Sequence, residues 1–216
     1  MSDVGLLYVG AVLVLNGLSL LGVVGVRAAA PLNLLVGLLQ VVTPTVLVIT
    51  AGGSTDAVLS ASGLYLFGFT YLYVAANTWL HLDGTGLGWF SAFVACCALV
   101  YSGLSFTRLD DPGFGVVWLW WAFLWLLFFL LLGRGRTDLA RYTGAVAVVQ
   151  GVASATVPAF LRLTGAWQDL SAVAAVVLAV LGVVVFALLY PRLVGERAAA
   201  AYAARDESLA TAPPPT

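Results

Sequence analysis

GFGVVWLWWAFLWLLFFLLL, residues 113 to 132, decides the fold, because twenty residues pass in succession without a charged side chain or a Ser, Thr, Asn or Gln. As a helix rising about 1.5 Å per residue, this stretch measures about 30 Å, the thickness of a bilayer's hydrocarbon core. Asp110, Asp111 and Pro112 stop it on one side, and Gly133-Arg134-Gly135-Arg136 on the other. Working outward, six more runs of similar length appear: Val4 to Val26, Pro31 to Ala51, Leu59 to Leu80, Leu87 to Phe106, Tyr142 to Leu163 and Leu170 to Tyr190. The breaks between them carry turn chemistry or charge, as in Gly52-Gly53-Ser54-Thr55-Asp56 and Asp83-Gly84-Thr85-Gly86. Membrane barrels need alternating strands of about ten residues, and these runs do not alternate. The expected fold class is therefore all-α, a polytopic membrane helical bundle of seven transmembrane helices. Residues 1–195 form its membrane domain and residues 196–216 a partly disordered tail.

Composition agrees. The 216 residues are 62% hydrophobic and 9% charged, with a mean hydropathy of +1.05, whereas soluble domains are about 25% charged. A net charge of −1 offers no field for nucleic acid. All nine cations are arginines. With the N-terminus outside, Arg27, Arg134, Arg136, Arg141, Arg192, Arg197 and Arg205 fall on the cytoplasmic side and Arg108 and Arg162 outside. That asymmetry predicts a multi-pass protein of the plasma (cytoplasmic, inner) membrane, N-terminus outside and C-terminus in the cytoplasm. The first run is read as a permanent helix, since Asp3 and no Lys or Arg precede it, unlike a signal sequence.

Chemistry that would mark an enzyme is missing from the pattern. Cys96 and Cys97 are adjacent in an apolar run and read as small packing residues, and the lone histidine, His81, has no partners at ligand spacing. No Ser-His pair, paired Asp or His-Glu cluster lies within a span, so no catalytic residue, metal site or cofactor is expected.

No Lys, Asp or Glu occupies the centre of a span, which argues against an ion pump or proton relay. What lies at membrane depth is neutral: Asn16, Asn33, Gln40, Asn77 and Gln150. A buried carboxamide costs a few kcal/mol in hydrocarbon unless paired or wet. Each alone fits helix–helix glue as well as a lining role; five without charges favour a neutral polar pathway. Trp118, Trp121 and Trp125, at i, i+3 and i+7, share one helix face, and Phe67 and Tyr71 at i and i+4 form a second aromatic edge. Tertiary packing would also account for the tryptophans. If the two aromatic faces oppose each other, they leave a slot for a planar solute with hydrogen-bonding groups at its ends.

The stretches Leu6-Leu7-Tyr8-Val9-Gly10 with Asn16-Gly17, Phe67-Gly68-Phe69-Thr70-Tyr71-Leu72-Tyr73, Trp118-Leu119 through Trp121 to Leu124-Trp125, and Gly151 with Pro158 resemble the AmiS/UreI family of urea and amide channels. The likeness runs from about Leu6 to Leu161. It implies three helical hairpins per protomer, a pore within each protomer and a homo-hexamer around a lipid-filled centre. Its pore lining, carried onto this chain, is Val9, Leu13, Asn16, Phe67, Tyr71, Trp118, Trp121, Leu124, Trp125 and Gln150. The expected solutes are urea or a short-chain aliphatic amide, moving passively.

Three departures stand out. Gln150-Gly151 occupies the place of a glutamate before the glycine in the acid-gated urea channels, putting an uncharged donor and acceptor there. The only histidine falls in a loop assigned to the inside, so histidine-driven acid gating is not expected. The seventh run resembles the longer, amide-associated AmiS-like branch. The competing expectation is a non-transporting membrane scaffold, whose arginines from 134 to 141 dock a cytoplasmic amidase or urease.

Overall fold

A computed structural model describes residues 2–194 and Ala204. Among these, seven helices are long and apolar enough to cross a membrane: α1 (Ser2–Leu20), α2 (Val26–Ile49), α3 (Thr55–Leu80), α4 (Thr85–Thr107), α5 (Pro112–Gly133), α6 (Thr137–Leu163) and α7 (Trp167–Leu193). No strand occurs among the described residues. The expected partly disordered tail, 196–216, falls outside the described residues apart from Ala204.

The largest departure from the expected spans is at the first connection. Helix α1 stops at Leu20, and Gly22 turns the chain with φ 77°, a conformation open to glycine at little cost. Helix α2 then starts at Val26 and takes in both Arg27 and Pro31. Arg27 falls between the first two expected spans, yet a long side chain can carry its guanidinium to the interface while its backbone stays helical. The other helices begin or end within five residues of expectation.

The helices pack as three antiparallel pairs, α2 with α3, α4 with α5 and α1 with α6, and α7 leans on α5 and α6 from outside. The first and sixth helices meet through glycine: a Cβ on Gly10 would stand 2.8 Å from the Gly151 carbonyl oxygen, and one on Gly17 2.6 Å from that of Gly144. Such backbone approach is how helices gain dispersion energy when lipid removes the hydrophobic incentive. Helix α6 widens to a π-helical segment at Gly151–Thr156, and α5 does so at Phe129–Gly133.

Helix α5 is the centre, with 61% of its most apolar stretch buried, against 11% for α7. Asp111 caps it by accepting from the Phe114 amide at 3.1 Å, and Pro112 opens its first turn. On this N-terminal face of the bundle Arg162 Nε donates to Asp3 Oδ1 at 2.5 Å, and its Nη1 lies 3.5 Å from Asp111 Oδ2. Asp111 also accepts from Trp167 Nε1 at 3.0 Å and Ser171 Oγ at 2.6 Å, which ties α1, α5, α6 and α7 at one end. Neither cysteine is bonded; Cys96 is exposed on the outer surface of α4 rather than packed inside, and Cys97 is half-buried.

Candidate functional site

Between α1, α2, α3, α4 and α5 lies a cavity of ≈ 790 Å³. All its lining residues belong to the half of the bundle away from the N-terminal face. Its mouth carries Arg27 and His81, held together with Arg27 Nη2 2.8 Å from His81 Nε2. A guanidinium can only donate, so in this contact His81 Nε2 accepts. Its blind end is aromatic: Phe67, Trp121 and Trp125.

Seven of the ten expected residues line this space: Leu13, Asn16, Phe67, Tyr71, Trp121, Leu124 and Trp125. The other three do not. Val9 lies one turn beyond Leu13 on α1, buried in the apolar core past the closed end. Trp118 is one turn past Trp121 and stacks on Tyr101, with ring centres 4.6 Å apart and planes 19° from parallel. Gln150 is fully buried, and its Nε2 donates to the Trp120 carbonyl oxygen at 2.7 Å. That bond holds α6 to α5 and turns the carboxamide away from the cavity.

The aromatic groups meet differently from the expected slot. Phe67 contacts Trp121 and Trp125 edge-on, with centres 4.7 and 4.8 Å apart and planes at 81° and 63°. Ring quadrupoles favour this geometry over opposed parallel walls. The result is a plug. Trp121 is fixed from behind, since its Nε1 donates to Ser154 Oγ at 3.0 Å and Ser154 in turn donates to the Gln150 carbonyl at 2.7 Å. Ser154 belongs to the π-helical segment of α6, a local widening that no apolar periodicity reveals.

The polar lining is uncharged beyond the mouth. Asn16 and Asn33 form a reciprocal carboxamide pair: Asn16 Nδ2 donates to Asn33 Oδ1 at 2.9 Å, and Asn33 Nδ2 to Asn16 Oδ1 at 2.7 Å. Asn33 also donates to the Ala29 carbonyl at 3.0 Å. Thr70, Thr78 and Ser91 bond to carbonyls one turn back in their own helices, leaving each oxygen free to accept. Tyr71 Oη and Asn77 Oδ1, both on lining residues, are buried without a hydrogen-bond partner among the described residues. Asn33, Thr70, Asn77 and Ser91 were absent from the expected lining. Asn33 and Asn77 were legible as amides at membrane depth, whereas the hydroxyls carry no signal that separates them from ordinary back-bonded helix residues. No group of three or more His, Cys, Asp or Glu side chains among the described residues is placed to hold a metal.

A helical membrane bundle enclosing a hydrogen-bonding vestibule, uncharged beyond its Arg27–His81 mouth, has the form of a transport protein for solutes. Over residues 1–166 the sequence matches the AmiS/UreI family of transporters, and the chain belongs to that family. The match ends just before α7 begins. A Rhodococcus erythropolis protein named as transporter AmiS2 is 61% identical over 175 residues, covering 81% of this chain and 85% of that one. A Mycolicibacterium smegmatis protein named as a transporter of amidate substrates is 54% identical over 200 residues, covering 93% and 92%. The urea channel of Helicobacter pylori, solved in a closed state, superposes with a TM-score of 0.71 at 31% identity, covering 77% of this chain and all of that one.

Proposed function

We propose that each copy of the chain is a passive pore for urea or short-chain aliphatic amides. The observation that carries this reading is the cavity, uncharged beyond its mouth, that ends on Phe67, Trp121 and Trp125. A solute entering past Arg27 and His81 exchanges water for Asn16, Tyr71 Oη and Asn77 Oδ1, then passes the rings when Phe67 swings aside. Each hydrogen bond lost without replacement costs roughly 1–3 kcal/mol, tenfold or more in rate, so these groups set specificity. Ions, with no compensating charge along the wall, face a far larger desolvation cost. The Mycolicibacterium smegmatis relative named as a transporter of amidate substrates supports amides over urea.

In this reading the arginine-rich face is cytoplasmic, the N-terminal face is outside the plasma membrane, and six protomers form a ring. Cysteine labelling of a Cys-free background, with single cysteines at Ser54 and Gly135, tests the orientation; cross-linked mass tests the ring. The turn carrying Arg134 and Arg136, with Arg141 in the first turns of α6, is the surface offered to a cytoplasmic amidase or urease. A docking role alone leaves the cavity and the unpartnered Tyr71 hydroxyl without purpose. Stopped-flow uptake by proteoliposomes decides the matter: urea and acetamide should enter well above the empty-liposome rate, and equality with empty liposomes ends the proposal.

A further inference from the structure

Five carboxamides lie at membrane depth, and four have partners. Asn16 and Asn33 hold each other, Gln150 donates to Trp120, and Asn77 Nδ2 reaches the Asp83 carbonyl at 3.5 Å. Gln40 is different. It is fully buried, and neither its Nε2 nor its Oε1 has a hydrogen-bond partner among the described residues. A doubly unpaired amide in a bundle interior is costly, and it leaves a donor and an acceptor to be filled from outside the protein.

Its position says what. On α2, cavity-lining Ala29 and Asn33 share a face with Gln40, at i, i+4 and i+11, which puts Gln40 about 10 Å further toward the N-terminal face than Asn33. On α1, cavity-lining Leu13 shares a face with Val9 and Gly5 at four-residue steps. The two faces converge beyond the plug. A Cβ on Gly5 would stand 2.9 Å from Gln40 Oε1 and 3.3 Å from its Nε2, so the carboxamide lies across the bare backbone of α1. Gly68, the neighbour of Phe67, packs on the Gln40 backbone, with a Cβ there only 2.9 Å from its carbonyl oxygen.

We infer that Gln40 is a solute-binding residue on the far side of the Phe67 plug, which takes a primary amide or urea by donating from Nε2 to its carbonyl and accepting one of its N–H groups at Oε1. This is the reciprocal arrangement that Asn16 and Asn33 already adopt on the near side. The inference rests on the pore reading above and deepens it. Gln40 receives the solute as it clears the rings, so that neither side of the plug leaves the amide without partners.

The test compares wild type with Gln40→Met, which keeps the shape and removes donor and acceptor, in proteoliposomes given acetamide or N,N-dimethylacetamide. The dimethyl compound has no N–H to offer. The expected result is a loss of acetamide flux about tenfold greater than the loss for N,N-dimethylacetamide, because acetamide forfeits both hydrogen bonds and the dimethyl compound only the one to its carbonyl, so that discrimination collapses. Thermal stability in detergent should be equal or higher, because an unpaired amide has been replaced by a thioether. Unchanged acetamide flux in Gln40→Met, or a loss of both fluxes together with lowered stability, overturns the inference while leaving the pore reading intact. A wild-type acetamide flux equal to that of empty liposomes sinks the pore reading and this inference with it.

Discussion

Phe67 is the residue on which the closed state turns, because its ring alone touches both Trp121 and Trp125. Phe67→Ala should open the plug, raising urea and acetamide flux several-fold while narrowing the preference for small over bulky amides in stopped-flow assays. Ser154 acts at one remove. In Ser154→Ala the buried Trp121 N–H loses its acceptor, which should cost about 1–3 kcal/mol and lower the melting temperature in detergent. The tryptophan face was readable in the sequence because i, i+3 and i+7 fix a direction on a helix whatever its neighbours. Which of its members touches the cavity was not, since Trp118 is drawn off by stacking on Tyr101, a contact between residues 17 positions apart. Gln150 shows the same limit: chain position gave its depth, but its direction came from a carbonyl on another helix.

At the level of helices, glycine decides how near two backbones come. Gly17→Ala would drive a methyl to 2.6 Å from the Gly144 carbonyl oxygen and 2.9 Å from the Val148 nitrogen, both backbone atoms that cannot rotate away. Overpacking of this kind costs typically 1–3 kcal/mol. Thermal unfolding should show that loss. Gly103→Ala, where nothing lies within 4 Å of the added carbon, should leave stability level or raise it by up to about 1 kcal/mol through helix propensity. The seven helices themselves were legible because a span must be long and apolar, and length and polarity are written residue by residue. Their widened turns were not. A π-helical segment changes which residues face inward through hydrogen-bond register, and Gly151–Thr156 contains no composition that announces it. Nor did hydropathy predict the α1 terminus, which a left-handed glycine sets.

For the whole molecule, the connection between α3 and α4 at the cavity mouth has a pH signature. The backbone N–H of Thr85, 2.7 Å from Asp83 Oδ1, holds that carboxyl below its ordinary range. A lowered folded-state value means the contact helps above the ordinary carboxylate pKa and is lost only as pH falls through the lowered one. This loop should therefore stay ordered between about pH 5 and pH 7.5, well above the ordinary aspartate value. Faster cleavage of the loop by added protease within that window would contradict it.

The vestibule also makes the molecule lopsided toward inhibitors. With the rings shut, a compound too bulky to slip past Phe67 can lodge only from the compartment onto which Arg27 and His81 open. Obstruction should then depend on the side of addition, even though a passive conduit has no preferred direction of its own.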